Sequence, residues 1–337
     1  MQFLLQCLIC LPVALHVLWA SAALWIDGPA EGGWAVVLVA GFLVVAALPA
    51  FFIRPFTLSV GATFLIAALV SGWWLTLKPS NDRNWQADVA RLPQATINGD
   101  ELTIENVRRF VYNDDGSVIE RWSTETYRLS ELTGLDIFFS FWGPQAYGHT
   151  LASWAFADGR HLSISIETRK EEHEVYSPVR SFFRQFELYY VVSEERDLIG
   201  LRAAKRGEQV ELYQVYTPND GDRLMLLNYV DELNALATSP RWYNTLSENC
   251  TTTMWRHARA VGSSFPLDWR LLANGYVLEL AHELGTVNTE LPVEELRSVS
   301  DVSANARDLL AAGVDATEFS KGLRANLPAR PTGPVAR

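Results

Sequence analysis

Charge is almost missing from the first 78 residues of this 337-residue chain. That stretch holds four charged side chains, Asp27, Glu31, Arg54 and Lys78, and they cancel. The formal net charge of −11 therefore belongs to residues 79–337. An acidic chain has no general attraction to phosphate, so we expect no nucleic-acid partner.

Cysteine is scarce as well. The three cysteines, Cys7, Cys10 and Cys250, are too few for a disulfide scaffold. The exported part also lacks a His-Glu-x-x-His motif and paired cysteines, so we expect no metal and no cofactor. Because 49% of the residues are apolar and 12 are tryptophan, a disordered chain is excluded.

Three long uncharged runs occupy the charge-poor stretch, at residues 3–25, 34–53 and 56–77. Each has the roughly 20 apolar residues that a membrane-spanning helix needs. Arg54 is the basic loop residue, whereas the other loop carries Asp27 and Glu31, and the positive-inside rule then places residues 79–337 outside the cytoplasm. An alternative for the first run is a signal peptide cleaved near residues 20–22, but it lacks a basic start.

The exported part begins with strand patterns and continues with helix patterns. Two helices are predicted, over residues 224–236 and from Cys250 to residue 261, and Ser239 and Pro240 should end the first. This order predicts an α+β domain with an antiparallel sheet. We divide the chain into an anchor (1–78), a linker (79–94), a catalytic domain (95–325) and a frayed tail (326–337). The predicted strands lie at residues 101–112, 121–129, 135–141, 150–156, 161–167, 187–192, 198–203 and 210–216.

Cys250 is the cysteine of the exported part, and it stands at a predicted helix start. Ser247 or Asn249 can cap that helix. The unpaired amides and the dipole of a first helical turn favour a thiolate, and the same amides can hold an oxyanion. The competing interpretation is a small buried side chain, against which the polar neighbours argue.

A nucleophilic thiol needs a base, and two histidines in strand patterns, His149 and His161, are the candidates. If residues 157–159 form the hairpin loop, the paired positions sum to 316 and His149 lies opposite Glu167. Glu167 could then orient the imidazole. A two-residue loop would shift the register by one, and a surface ion pair with Arg169 is the other interpretation of Glu167.

Several short motifs in a fixed order resemble the family built on the Lnb N-terminal periplasmic domain, over about residues 84–324. Each motif alone is weak, but the ordered set is specific. The motifs are DV (88–89), IENVRRF (104–110), GHT (148–150), DG (158–159), ISIETR (164–169), FELYY (186–190), ERD (195–197) and NCTT (249–252).

The resemblance implies a thiol acyltransferase with a papain-like core in permuted order, histidine before cysteine. It is similar in layout to lecithin:retinol acyltransferase and to permuted relatives of NlpC-like peptidases. Lnb itself is implied to move an acyl chain from membrane phospholipid, through a cysteine thioester, to the amine of a bacterial lipoprotein. A multi-pass protein of the bacterial inner membrane, with its catalytic domain in the periplasm, is then expected.

By matching positions, the resemblance makes Cys250 the nucleophile and His149 the base. Glu167 as the orienting group is our inference, and the resemblance alone does not establish it. Three neighbours of these residues in the sequence, Asn249, Thr251 and Ser165, are our candidates for substrate binding or for the oxyanion site.

Two other functions remain open from the sequence. The same cysteine and histidine could serve a hydrolase of cell-wall peptide, amide or lipid ester. Alternatively, the chain is a membrane-anchored binding protein without activity, and Cys250 is then a buried, inert thiol with a raised pKa.

Overall fold

The computed structural model describes residues 2–113 and 115–333, which divide into two units. The first unit contains the chain up to Ser80 together with Tyr176–Phe186. The second contains Asn81–Val175 and the described chain from Glu187 onward.

Three helices form most of the first unit, and each is long and apolar enough to cross a membrane. This confirms the three apolar helices predicted from the sequence. They are α1 (Gln2–Ile26), α2 (Gly33–Phe52) and α3 (Phe56–Thr76).

Small side chains are buried among these helices. Ala20, Ala23 and Ala67 are fully buried, which lets helix backbones approach closely in a membrane protein. Many leucine and valine side chains stay exposed, as contact with lipid requires. His16 Nε2 lies 2.7 Å from Ser71 Oγ, so this polar side chain finds its partner within the helix bundle.

The second unit contains an eight-stranded sheet in the order β1-β2-β9-β8-β7-β6-β10, with β5 also paired to β2, and a separate pair β3–β4. The strands are β1 (Gln94–Asn98), β2 (Glu101–Arg108), β3 (Val111–Tyr112), β4 (Val118–Ile119), β5 (Trp122–Arg128), β6 (Leu132–Phe141), β7 (Gly148–Phe156), β8 (His161–Arg169), β9 (Glu187–Ser193) and β10 (Gln209–Val215).

The sheet is mixed, which corrects the prediction of an antiparallel sheet. β2 and β9 pair in parallel, at Arg108 and Ser193, whereas the remaining strand pairs are antiparallel. The long chain between β2 and β9 lets them run in the same direction, because no tight hairpin turn joins them.

The hairpin of β7 and β8 has the predicted register. Leu151 pairs with Ser165, and Trp154 pairs with Leu162, so the paired positions sum to 316 as expected. Gly159 has a φ of +87°, a left-handed conformation that glycine adopts readily in a tight hairpin loop.

Within the described residues, the second unit contains seven α-helices, among them the two predicted ones, α5 and α6, with closely matching bounds. The seven are α4 (Glu195–Gly200), α5 (Gly221–Thr238), α6 (Cys250–Ala260), α7 (Val277–Glu283), α8 (Val293–Ser300), α9 (Ser303–Ala311) and α10 (Ala316–Leu323).

The strand predicted over residues 198–203 was wrong. This segment is the end of α4 followed by a π-helical turn, Leu201–Lys205. Leu198, Ile199 and Ala203 all enter one core cluster, which neighbouring residues of a half-buried strand could not do. Acidic residues in the first turn also suit a helix start.

Different hydrophobic clusters pack on the two faces of strand β6. Neighbouring residues of β6 enter different clusters, since Phe138 packs with α4, α9 and α10 while Phe139 packs with α7 and α8. This alternation follows from the period of two in a strand. The central strands are therefore buried on both faces.

Residues of the predicted linker and of the predicted tail contact the second unit. From Asn81 onward the linker segment belongs to the second unit, and Trp85 and Val89 lie in its core because their apolar side chains cover the sheet. In the tail, Arg330 donates hydrogen bonds to Asp136 and to the backbone carbonyl of Leu135, and the predicted fraying stays a prediction. Residues 334–337 lie outside the described residues.

Candidate active site

Cys250 is the first residue of α6 and is buried, with 6% of its surface exposed. Asn249 caps this helix: its side-chain oxygen accepts from the backbone N–H groups of Thr251 and Thr252, and the Thr252 hydroxyl accepts from the Asn249 N–H. The reciprocal capping box fixes the start of the helix. The thiol is therefore held at a defined helix N-terminus.

His149 and Glu167 come from the open end of the β7–β8 hairpin. Extending the observed register by two residues from the Leu151–Ser165 pair brings the two side chains to the same level. His149 Nε2 lies 3.2 Å from Glu167 Oε1, and His149 is buried, with 7% of its surface exposed. The hairpin turn thus sets the distance between the two predicted residues.

Ser165 lies between the imidazole and the carboxylate. Its hydroxyl donates to Glu167 Oε1 at 2.7 Å, and its oxygen lies 2.7 Å from His149 Nε2. Because the hydroxyl hydrogen is used by Glu167, the imidazole N–H donates to Ser165. Ser165 is therefore part of the hydrogen-bond network that orients His149. Its predicted role toward substrate stays a prediction.

Cys250 and His149 lie close enough together for each to shift the pKa of the other. Since Nε2 faces Ser165 and Glu167, we infer that Nδ1 faces the thiol. A neutral imidazole held in this tautomer has its acceptor nitrogen toward the sulfur, as a general base requires.

Electrostatics at the site favour a thiolate. Burial raises the pKa of the Cys250 thiol, but the charge of His149, the hydrogen bond with His149 and further bonds from the Thr150 N–H and Thr251 lower it to about 6. Cysteine ordinarily titrates near pH 8.5. At neutral pH the sulfur is therefore mostly the nucleophilic form.

The same contacts shift the pKa values of His149 and Glu167. Burial lowers the pKa of His149, but the charges of Glu167 and Cys250 raise it to about 9 against the opposing charge of Arg202. Burial raises the pKa of Glu167, whereas His149 and Arg202 hold it well below its usual range. A thiolate, an imidazolium and a carboxylate therefore coexist between about pH 6 and pH 9.

Arg202 was missed by the sequence analysis. It donates to Glu167 Oε1 at 2.5 Å and to Glu208 Oε2 at 3.3 Å, and it is buried. The sequence placed it in a strand, and its contact with Glu167 spans 35 residues of chain, so no local pattern pointed to it. The competing ion pair of Glu167 with Arg169 does not form, since Arg169 donates to the backbone at residues 89 and 90.

The amide groups at the start of α6 are mostly engaged. Those of Thr251 and Thr252 donate to Asn249 Oδ1, and that of Thr253 donates to the Asn249 carbonyl. Within the described chain, no acceptor is found for the Cys250 N–H, so this amide is available for a further hydrogen bond. The side-chain oxygen and nitrogen of Asn249 both form hydrogen bonds with the backbone. Its predicted role toward substrate stays a prediction.

Asn274 is a second missed residue. Its side chain clamps the backbone of Gly148, accepting from the N–H at 2.7 Å and donating to the carbonyl. It also donates to Thr251 Oγ1 at 3.0 Å, and that hydroxyl lies 3.3 Å from Thr150 Oγ1. A Cβ at Gly148 would meet the Phe141 ring at 2.7 Å, so this position has no room for a side chain. The clamp holds His149 and the start of α6 together through Thr251, whose predicted role toward substrate stays a prediction.

His161, the other candidate base, lies at the turn end of the hairpin, and its ring contacts the backbone of Gly159. His257 bonds to Tyr190 and Asn228. Among residues 2–113 and 115–333, no group of His, Cys, Asp or Glu is arranged to hold a metal ion.

Fold and site together define an α+β domain with a buried thiol–histidine–carboxylate cluster, preceded in the sequence by three apolar helices of membrane-spanning length. Residues 119–275 match the family model described as Lnb N-terminal periplasmic domain, which confirms the resemblance predicted from the ordered motifs over this range. The match includes His149, Glu167 and Cys250 but is shorter than the range of the ordered motifs. No curated protein and no solved structure matches the chain.

Proposed function

We propose that the protein is a thiol acyltransferase of the bacterial inner membrane that moves an acyl chain from phospholipid to the N-terminal amine of a lipoprotein. The observation that carries this proposal is the contact of the Cys250 thiol with His149, whose other side faces Glu167. The histidine precedes the cysteine in the chain, as in permuted papain-like enzymes.

In the first half-reaction, the Cys250 thiolate attacks the ester carbonyl of a phospholipid. The Cys250 N–H stabilises the tetrahedral oxyanion. As the intermediate collapses, the C–O bond breaks and the lysophospholipid alkoxide takes the proton of the His149 imidazolium. The products are a Cys250 thioester, a lysophospholipid and a neutral imidazole.

In the second half-reaction, the lipoprotein amine attacks the thioester carbonyl. His149, now neutral, accepts the amine proton while the C–S bond breaks and the thiolate leaves. An amide forms, and the thiolate–imidazolium pair is restored. Glu167 stabilises the charged imidazole at each stage and keeps its ring oriented.

Apolar side chains on two loops beside the site support an acyl substrate. The loop before Gly148 exposes Trp142 and Tyr147. The loop before Asn274, which contacts Gly148, exposes Leu267 and Trp269. Apolar groups next to a reactive centre are typical of sites for apolar ligands. A cell-wall peptide would fit a polar groove better.

The helices of the first unit support a reaction on membrane substrates. Three candidate spans precede a domain of a periplasmic family, and the loop that contains Arg54 is the basic one. Confining the enzyme and both substrates to one bilayer makes productive encounters far more frequent.

The hydrolase alternative uses the same thioester and differs only in the acceptor, with water replacing the amine. The non-enzymatic alternative expects a raised thiol pKa, whereas burial raises the pKa of Cys250 and the contacts with His149 lower it to about 6. The charge at the site therefore supports a reactive thiol.

Mass spectrometry of the intact protein tests the proposal. Purified full-length protein is incubated with phospholipid vesicles, and we expect a hydroxylamine-sensitive acyl adduct that is lost in Cys250→Ala and kept in Cys10→Ala. An acyl adduct of undiminished yield in Cys250→Ala would contradict the proposal. Adding a diacylated lipopeptide should convert the adduct to N-acyl lipopeptide, whereas release of free fatty acid only would identify a hydrolase.

A further inference from the structure

Residues Tyr176–Phe186 leave the second unit between β8 and β9 and belong to the unit of the three apolar helices. We propose that this stretch, the interfacial segment, lies in the bilayer interface and contacts the lipid headgroups and upper acyl chains of the outer leaflet. The inference does not depend on the thiol chemistry, since it concerns a surface remote in sequence from Cys250.

Hydrogen bonds pin the interfacial segment to the ends of two spans. Asp27 Oδ2, just after α1, accepts from Trp74 Nε1 at 2.6 Å and from the Arg184 N–H at 3.0 Å. Arg184 donates to the carbonyls of Leu75 and Leu77 at the end of α3 and lies over the Trp74 ring. The segment is therefore held where α1 and α3 leave the hydrocarbon core, at the depth that tryptophan favours.

The composition of the interfacial segment differs from that of its surroundings. It contains three phenylalanines, one tyrosine and two arginines, and it has no acidic residue in a chain of net charge −11. Val179 is 63% exposed and Phe182 is 41% exposed, and Arg180 beside them is exposed as well. Exposed apolar side chains next to a basic one are typical of interfacial membrane anchors.

Charge and position favour lipid over a protein partner as the occupant of this surface. Anionic headgroups attract the arginines, while the upper acyl chains cover the apolar side chains. The arginine stems can lie along the acyl chains with their charges in the headgroup layer. The surface is continuous with helices that the bilayer already surrounds.

Spin labelling of the full-length protein tests the depth of the segment. In a chain with Cys7→Ser, Cys10→Ser and Cys250→Ser, a nitroxide is attached at Val179→Cys. The protein is inserted into vesicles of phosphatidylethanolamine and phosphatidylglycerol. We expect the label to collide more with oxygen, which concentrates in lipid, than with a water-soluble nickel chelate.

Two control labels make each outcome decisive. A label at Val118→Cys, an exposed apolar position of the second unit, should collide more with the nickel chelate. A label on native Cys10, with Cys7→Ser and Cys250→Ser, should show strong oxygen contact, and its failure would overturn membrane insertion and this proposal together. If the label at residue 179 collides with the nickel chelate as often as the label at residue 118 does, the segment lies in water. If the label at residue 179 collides rarely with both oxygen and the nickel chelate, the segment contacts protein. Either result overturns the proposal.

Discussion

The β7–β8 hairpin has a histidine at each end, and both ends meet serine, glutamate and arginine side chains. At the open end, His149 contacts Ser165 and Glu167. At the turn end lies His161, near a buried cluster in which Ser153 donates to Glu195. Similar residue types thus stand about one hairpin length apart on the same two strands.

The two histidines titrate in opposite directions. Burial lowers the pKa of both, but at the open end the charges of Glu167 and Cys250 raise that of His149 to about 9. For His161 burial prevails, and the attraction of Glu195 is opposed by Arg324, so its pKa is lowered. The same side chain is therefore charged at one end and neutral at the other.

The arginine residues near each end of the hairpin account for the opposite pKa shifts of the two histidines. At the turn end, Arg324 and Arg330 form ion pairs with two buried carboxylates, Asp136 and Glu195. The charges of these carboxylates are therefore neutralised without a proton on His161. At the open end, Arg202 bonds to both Glu167 and Glu208, while Arg206, whose side chain is 43% exposed, lies 3.7 Å from Glu208. Glu167 thus shares its arginine, and its charge together with that of Cys250 holds a proton on the imidazole. A carboxylate that shares its arginine and faces the histidine thus distinguishes the reactive cluster from the structural one.

The largest expected effect is on the base. His149→Ala should slow formation of the acyl adduct by about 10²–10⁴-fold, because the thiol loses its proton acceptor and its counter-charge. His161→Ala, the matched change at the turn end, should leave the rate near that of the wild type. Single-turnover mass spectrometry measures both rates, and equal losses in the two variants would contradict the comparison.

The structural cluster should respond in stability instead. Arg324→Ala leaves two buried carboxylates short of a cation and should cost about 3–5 kcal/mol of unfolding free energy. Urea denaturation followed by circular dichroism measures this cost. The thiol pKa of the folded variant should not change, so a shift in that pKa would show that the two clusters are coupled.

Removal of the orienting charge should change the pH profile. The thiolate–imidazolium pair is populated above the pKa of Cys250, about 6, and below that of His149, about 9, so the rate of adduct formation should be bell-shaped. In Glu167→Gln the imidazolium loses a stabilising charge, its pKa falls, and the alkaline limb should move to lower pH. An unmoved alkaline limb would mean that Glu167 does not act on His149.

The smallest effect is expected at Ser165. Ser165→Ala removes a hydrogen bond worth about 1 kcal/mol, while the direct contact of His149 with Glu167 remains. The rate should fall several-fold with little change in the pH limits. A loss as large as that of His149→Ala would instead point to a direct role of Ser165 toward substrate.

Local signals were enough to predict part of the site. The turn at Gly159 fixes the register that brings His149 beside Glu167, and the cap at Asn249 fixes the helix that carries Cys250. Each of these depends on a few neighbouring residues, which is why the sequence revealed them.

Contacts between distant segments could not be predicted in this way. Arg202 reaches Glu167 only because residues 195–205 are helical, and the local apolar pattern had suggested a strand. Asn274 clamps Gly148 across 126 residues of chain. The parallel pairing of β2 with β9 likewise depends on tertiary packing and not on a turn motif.

The central claim is that Cys250 is a thiolate at neutral pH because it contacts His149. Its most direct test is a pH titration of the ultraviolet thiolate absorbance in full-length protein with Cys7→Ser and Cys10→Ser, so that Cys250 is the remaining thiol. We expect an apparent pKa for Cys250 of about 6, which His149→Ala should raise to the ordinary range or above. A pKa of Cys250 at or above the ordinary value, unchanged by His149→Ala, would contradict the claim.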